Sequence, residues 1–95
     1  MNYKQILSID KTLNVIIYGA GTLGRIVYNE LLKNSNIKIV GWSDQKYNRI
    51  NDAPIEIISP QNIKNFSCDV IILTLNNEKL ENEVIVDLRK IGINA

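Results

Sequence analysis

The sequence predicts a single small α/β domain with a parallel sheet, and three features of the chain lead to that prediction. A glycine-rich turn with the spacing GxGxxG lies between an apolar run typical of a strand and a periodic pattern typical of a helix. A second apolar run follows the helix and ends in an acid, Asp44. A third run, residues 69–75, is the most apolar stretch of the chain and suits a parallel strand covered on both faces. Strands that alternate with helices in this way are typical of parallel sheets.

Length and composition exclude several classes of function. A chain of 95 residues has room for one domain but not for a separate substrate domain. The net charge of +1 creates no field that would attract nucleic acid or an anionic membrane, so we expect neither as a partner. Because the chain has no histidine and only one cysteine, Cys68, we also expect no metal site and no disulfide framework. The lack of a signal peptide or a membrane-spanning run favours the cytoplasm.

The first twelve residues are predicted to form a lead-in segment ahead of the main domain, residues 13–95. Tyr3, Ile6 and Leu7 have helical spacing, which predicts a short amphipathic helix. Such a helix would cover an open edge of the sheet or the core, and a docking face for a partner is the alternative.

The glycine turn is the centre of the predicted domain. It follows a strand over residues 14–18 and leads into a helix over residues 22–33. Gly19 lets the chain leave the strand in a tight turn, Gly21 lets a pyrophosphate approach the backbone, and Gly24 lets the helix pack closely on the sheet. A diphosphate would then lie on the free N–H groups and the positive dipole end of that helix.

Asp44 lies 20 residues after Gly24, at the end of a predicted second strand that begins at Ile37. Dinucleotide-binding folds carry a ribose-binding acid at about this distance, so the turn and the acid together predict a Rossmann-type βαβ unit. An acid here would accept hydrogen bonds from both ribose hydroxyls and repel a 2′-phosphate. NAD(H) is therefore favoured over NADP(H), and UDP-type nucleotides remain possible. The alternative for Asp44 is that it starts a turn with Gln45.

The third and fourth strands follow a polar loop. Residues 55–59 are predicted to form a short third strand, with Ser59 and Pro60 as the N-cap and first residue of a short helix. The apolar run 69–75 is predicted to be a central strand beside the first. These elements give a Rossmann-like three-layer sandwich with the strand order 3-2-1-4.

A last helix is predicted over residues 78–91, with Asn77 as its N-cap and a ligand contact as the alternative role of Asn77. Its predicted buried stripe consists of Leu80, Val84, Leu88 and Ile91. Gly92 would end the helix, and Ile93 would start a fifth strand, giving the full order 3-2-1-4(-5). Because that strand is cut short, we expect a domain truncated at its C-terminus.

No catalytic residues are predicted, so we expect no activity from this domain alone. Cys68 has no basic neighbour, and no tyrosine is followed four residues later by a lysine, which excludes the catalytic pair of short-chain dehydrogenases. Arg25 is expected on the solvated face of the first helix, with a phosphate contact as its alternative. A crevice beside Gly21 that is filled by Tyr47 or Trp42 would indicate a domain without a ligand.

The order of these segments resembles the N-terminal nucleotide-binding domain of bacterial polysaccharide-biosynthesis proteins, of the nucleotide-sugar dehydratase and epimerase type that is also described as CoA-binding-like. The matching segments, in order, are VIIYGAGTLGR, IVGWSD, PIEIISPQNI, DVIILTL and a helix that ends in IGI. The glycine usual before the proline is missing before Pro54. The resemblance implies that Asp44 is the ribose acid. It implies that the phosphate turn consists of Gly19, Ala20, Gly21, Thr22, Leu23 and Gly24.

The resemblance further implies a domain that binds NAD, another nucleotide or a nucleotide-sugar within a larger protein of capsule or lipopolysaccharide synthesis. The alternative is a non-catalytic regulatory or scaffolding module that forms a homodimer or is fused to a glycosyltransferase or another sugar-modifying enzyme. Fold likeness alone does not choose between these functions.

Overall fold

The computed structural model describes residues 11–93. Its three strands are Leu13–Tyr18 (β1), Ile37–Ser43 (β2) and Val70–Leu73 (β3), and its two α-helices are Thr22–Leu32 (α1) and Glu78–Lys90 (α2). Short 3-10 helices cover Tyr47–Arg49 and Pro60–Asn65. The strands form one parallel sheet in the order β2-β1-β3. The predicted small α/β domain with a parallel sheet is confirmed.

Strand β1 is the centre of this sheet and has a buried face on each side. Val15 and Ile17 belong to one core cluster with the apolar side of α1, whereas Ile16 and Tyr18 belong to a second cluster with the apolar side of α2. Because successive side chains of a strand point to opposite faces, the two helices cover opposite faces of the sheet. Full burial of each large apolar side chain contributes roughly 1.5–3 kcal/mol, which explains why residues 15–18 of β1 form a continuous apolar run.

Helix α2 begins and ends where the sequence predicts. The side chain of Asn77 accepts a hydrogen bond from the Leu80 N–H at 3.2 Å and so caps the first turn. At the other end Gly92 has a φ of 92°, and the Ile93 N–H donates to the Leu88 carbonyl at 3.0 Å. This left-handed glycine stop satisfies carbonyl groups that the helix itself leaves without donors.

The prediction of a third strand over residues 55–59 is wrong. The segment forms one isolated parallel bridge, between Ser43 and Ile58, and extends no further along β2. Pro54 and Pro60 bracket it, and Pro60 already begins a 3-10 helix, so few residues are left to continue a ladder. Within the described residues the sheet therefore has three strands, and the predicted strand order is found only in part.

Two further predictions are wrong: the central position of β3 in the sheet and the burial of Leu80. Strand β3 lies beside β1 as predicted, but at an edge of the described sheet rather than in its centre. Leu80 is 40% exposed and does not belong to the buried stripe of α2, whereas Val84 and Leu88 do. Leu80 stays exposed because it lies in the wall of a cleft at the ends of the strands. Most of the predicted lead-in helix, residues 1–10, lies outside the described residues.

Candidate functional site

A cleft of about 540 Å³ opens at the carboxyl ends of the three strands. The chain passes from β1 to β2 on one side and then returns past β1 to β3 on its other side, so the strand order reverses at β1. In an open α/β sheet such a reversal creates a crevice outside the strand ends. Of the predicted site residues, those that line the cleft are Gly19, Ala20, Gly21, Thr22, Leu23 and Asp44. The structure therefore brings them together, with Gly24 packed behind the turn.

A second, more open depression of about 860 Å³ lies along the outer face of α2. All of its described lining residues belong to that one helix. It is therefore an exposed helix face, whereas the cleft at the strand ends is built from several separate segments.

Gly19 is required by the fold of the chain itself. Its φ of 113° lies in the region that L side chains rarely adopt. Its carbonyl accepts a hydrogen bond from the indole N–H of Trp42 at 2.7 Å and shares the single proton of the Thr74 hydroxyl, at 3.0 Å, with the carbonyl of Tyr18, at 2.9 Å. A Cβ atom on this residue would overlap the Thr74 hydroxyl. The close contact between the turn and β3 leaves room only for glycine.

Gly24 and Gly21 differ in what surrounds them. A Cβ atom on Gly24 would overlap the carbonyl of Gly19, so the packing of α1 against the turn depends on this glycine. A Cβ atom on Gly21 would meet no atom within 4 Å, and Gly21 has a negative φ of −82° that any residue adopts. Neither the backbone nor the packing of the chain requires glycine at residue 21, and the space beside it belongs to the cleft.

The start of α1 forms one wall of this cleft. Gly21 occupies the N-cap position, so no side chain caps the helix, and the first turn carries no acidic residue. The first N–H groups of a helix lack partners inside the helix and carry a partial positive charge. Thr22 and Leu23, whose N–H groups belong to this set, line the cleft. The arrangement can bind an anion through the backbone.

Asp44 joins the loop after β2 to the glycine turn. Its Oδ2 atom accepts a hydrogen bond from the Ala20 N–H at 2.8 Å, and its Oδ1 atom accepts one from the Lys46 N–H at 2.7 Å. The bond to Lys46 is the turn that the sequence offered as the alternative role of this acid. Because a carboxylate has about four acceptor positions, each oxygen retains capacity for one further donor. The ribose contact stays a prediction.

Arg25 contacts the turn from outside the cleft. Its guanidinium donates to the Asp52 carboxylate at 2.9 Å and, through Nε, to the Ala20 carbonyl at 3.3 Å. The hydrogen bond and the charge of Arg25 lower the pKa of the Asp52 carboxyl. Asp52 is largely exposed, so this ion pair contributes little stability. The geometry agrees with the expected solvated position of Arg25.

The cleft is not lined by Trp42 or Tyr47, the two side chains that the sequence offered as candidates to fill it. Trp42 is fully buried and stacks on Tyr28 with a centroid separation of 4.7 Å. It supports the turn from below through its bond to Gly19. The sequence places Thr74 on the ligand side of the sheet, directly after β3, but it predicts neither its hydrogen bond nor that of Trp42 to Gly19.

Among residues 11–93, Cys68 and the acidic side chains add no reactive or metal-binding group. Cys68 is half-buried, and burial together with the charge of Asp69 raises the pKa of its thiol, which keeps it protonated near neutral pH. Among residues 11–93 no three histidine, cysteine, aspartate or glutamate side chains are grouped to hold a metal ion. Within the same residues no helix has the length and apolar character needed to span a membrane.

Tyr18 places a phenol at the base of the cleft. Burial raises its pKa to about 12, the charges of Asp44 and Asp87 act in the same direction, and a hydrogen bond with Gln45 opposes them. The side chain is 3% exposed. The hydroxyl is therefore neutral at physiological pH and can only donate or accept a hydrogen bond.

The raised pKa of Tyr18 predicts a loss of stability in alkali. Above about pH 10 the unfolded chain releases this proton while the folded chain keeps it, so the free energy of unfolding falls as the pH rises towards 12. Urea unfolding of the wild type and of Tyr18→Phe, measured from pH 8 upwards, should show a shallower alkaline decline in the variant. Tyr47→Phe, on an exposed loop, is the matched control. Equal slopes for wild type and Tyr18→Phe would contradict this prediction.

The family described as C2185-like, N-terminal, matches residues 11–95. No curated protein and no solved structure matches the chain.

Proposed function

We propose that this chain, which belongs to the C2185-like, N-terminal family, binds the diphosphate of a nucleotide at the glycine turn, with NAD(H) as the first ligand to test. The observation that carries the proposal is the open space beside Gly21. Gly19 and Gly24 are explained by contacts within the chain, but Gly21 is not. A ligand that approaches the backbone at residue 21 explains why a side chain is absent there.

The surroundings of Gly21 suit a diphosphate. The uncapped start of α1 offers backbone N–H donors and a partial positive charge, and no acid lies in its first turn. A diphosphate bound there would be held by backbone groups, whose orientation is fixed by the fold. The cleft is also large enough for a ligand beyond the phosphates, since ligand sites are commonly about 300–1,000 Å³.

A Rossmann-type sheet is part of the proposal. The observed order β2-β1-β3 matches strands 2, 1 and 4 of the predicted order 3-2-1-4(-5). Ser43 pairs with β1 on one side and forms its single bridge with Ile58 on the other, where the third strand of that order would lie. These pairings support the proposed fold type.

Asp44 and the residues around it suit the nucleoside. Each carboxylate oxygen has one acceptor position left for a ribose hydroxyl, and its negative charge disfavours a 2′-phosphate. Ile50 gives the same end of the cleft an apolar surface for a base. These features favour NAD(H) over NADP(H) and leave UDP-nucleotides and UDP-sugars as competitors to test.

The role we propose is binding rather than chemistry. Asp44 and Lys46 are the only charged residues among those described that line the cleft, and the Asp44 carboxylate already accepts two backbone N–H groups. General acid–base catalysis needs a positioned proton donor or acceptor that is free to react. The family description names an N-terminal part, which supports a domain of a longer protein. We retain the cytoplasm as its proposed location and polysaccharide or nucleotide-sugar synthesis as its proposed context.

A regulatory or scaffolding module is the second candidate. The same scarcity of reactive groups favours it, because such a module would need only a folded domain, with or without a bound nucleotide. Unlike the first candidate, it does not require the cleft to bind a nucleotide.

Isothermal titration calorimetry of the purified chain tests the proposal. We expect saturable binding of NAD(H), weaker binding of NADP(H), and competition by UDP-sugars if they share the turn. The fluorescence of Trp42, the single tryptophan, reports in the same samples whether the domain is folded. A folded chain that binds none of these nucleotides would refute the cofactor role and leave the scaffolding module.

A further inference from the structure

We propose that Asp44 is a positioning residue that locks the peptide unit between Gly19 and Ala20, in addition to any contact with a ribose. The inference deepens the proposed function and rests on it wherever ligand binding is concerned. The lock itself is a property of the free chain.

The lock acts on both polar groups of one peptide unit. The carbonyl of Gly19 accepts hydrogen bonds from Trp42 and from Thr74. The N–H of the same unit, which belongs to Ala20, donates to Asp44 at 2.8 Å. A rotation of this peptide would break all of these contacts at once.

The peptide between Gly19 and Ala20 needs such a lock because it follows a glycine. Gly19 has access to a wide range of backbone angles, so the peptide that follows it is the least restrained part of the turn. Trp42 and Thr74 hold only its carbonyl side. Asp44 supplies the contact on the N–H side, and a hydrogen bond to a charged acceptor is stronger than one between neutral groups.

The lock fixes the orientation of the Gly19–Ala20 peptide, which determines which backbone N–H groups are available to a ligand. The Ala20 N–H is engaged by Asp44, so the groups left for phosphate are those of Gly21, Thr22 and Leu23 at the start of α1. If the Gly19–Ala20 peptide turned, the entry to the helix would change with it. Asp44 should therefore support phosphate binding even for a ligand with no ribose hydroxyls near the acid.

Two variants separate the lock from a general effect of losing an acid. Asp44→Ala removes the acceptor of the Ala20 N–H. Asp69→Ala is the matched control, because the Asp69 carboxylate also accepts a backbone N–H, from Asn14 at 2.7 Å, but at the opposite end of the sheet. Asp44→Leu, which keeps a branched side chain but offers no acceptor, is measured as well in case the alanine variant does not fold.

The first measurement is amide hydrogen exchange by NMR in the free chain. We expect the exchange of Ala20, relative to the amides of residues 15–17 in β1, to become about tenfold faster or more in Asp44→Ala, and to stay at the wild-type rate in Asp69→Ala. Unchanged exchange at Ala20 in a folded Asp44 variant would overturn the inference.

The second measurement compares ADP with 2′,3′-dideoxy-ADP. A lock predicts that Asp44→Ala weakens the binding of both ligands by a similar factor, about tenfold, and that Asp69→Ala weakens neither. If Asp44→Ala weakens the binding of ADP but not that of 2′,3′-dideoxy-ADP, Asp44 acts only as a ribose contact. That result would overturn the positioning role. If the wild type binds neither ligand while Ala20 exchange still responds to Asp44→Ala, the proposed function fails and the lock is upheld.

Discussion

Gly24→Ala should lower the free energy of unfolding by about 3 kcal/mol or more, whereas Gly21→Ala should change it by less than about 1 kcal/mol. The two glycines lie three residues apart in one turn, yet their surroundings differ completely. A methyl group at residue 24 would overlap the carbonyl of Gly19, and moving that carbonyl away would break its hydrogen bond from Trp42. A methyl group at residue 21 would enter open space.

Urea unfolding followed by the fluorescence of Trp42 measures this difference directly, since Trp42 is the single tryptophan and its indole bonds to Gly19. The small cost allowed for Gly21→Ala combines two opposing terms. Alanine is a poorer N-cap than glycine, but it also reduces the conformational entropy of the unfolded chain. Equal midpoints for the two variants, at equal dependence on urea, would show that α1 does not pack on the turn as described.

The glycine turn and its neighbours could be predicted because local rules determine them. The start of α1 at Thr22, the cap at Asn77 and the stop at Gly92 each follow from the backbone preferences or hydrogen-bonding groups of one or two residues. The apolar run around Ile16 had to be buried on both faces and is the central strand. These features depend little on distant parts of the chain.

The wrong predictions concern features that depend on contacts between distant parts of the chain. The β-branched residues of segment 55–59 suited a strand, but a strand also needs a partner over its whole length, and the flanking prolines restrict this one to a bridge at Ile58. The spacing of Leu80 matched the buried stripe of α2, but nothing in the spacing reveals where the sheet ends. Leu80 lies beyond the core and faces the cleft.

The sequence indicated which residues lie together at the candidate site, but not the hydrogen bonds between them. Spacing from the glycines identified Asp44, and the structure places it against the turn. The sequence could not show that the carboxylate would bond to Ala20, because that contact depends on the register between β1 and β2. Nor could it show that Thr74, 55 residues after Gly19, would hold the carbonyl of the first glycine.

Gly21→Val should weaken nucleotide binding at least about a hundredfold, which corresponds to roughly 2.7 kcal/mol of binding free energy. The physical reason is that the space beside Gly21 is open, and a valine side chain would occupy it. A diphosphate could then not reach the N–H groups of Thr22 and Leu23. Titration of NAD(H) against the variant and the wild type measures the loss.

Stability must be measured on the same variant, because a lost fold would also abolish binding. The φ of Gly21 is open to any residue and no atom lies within 4 Å of a Cβ atom there, so we expect the urea midpoint of Gly21→Val to stay close to that of the wild type. Ile26→Val, on the exposed side of α1, is the matched control and should alter neither property. If a folded Gly21→Val binds NAD(H) as tightly as the wild type, the diphosphate does not lie on this turn, because a ligand seated there must contact the added side chain.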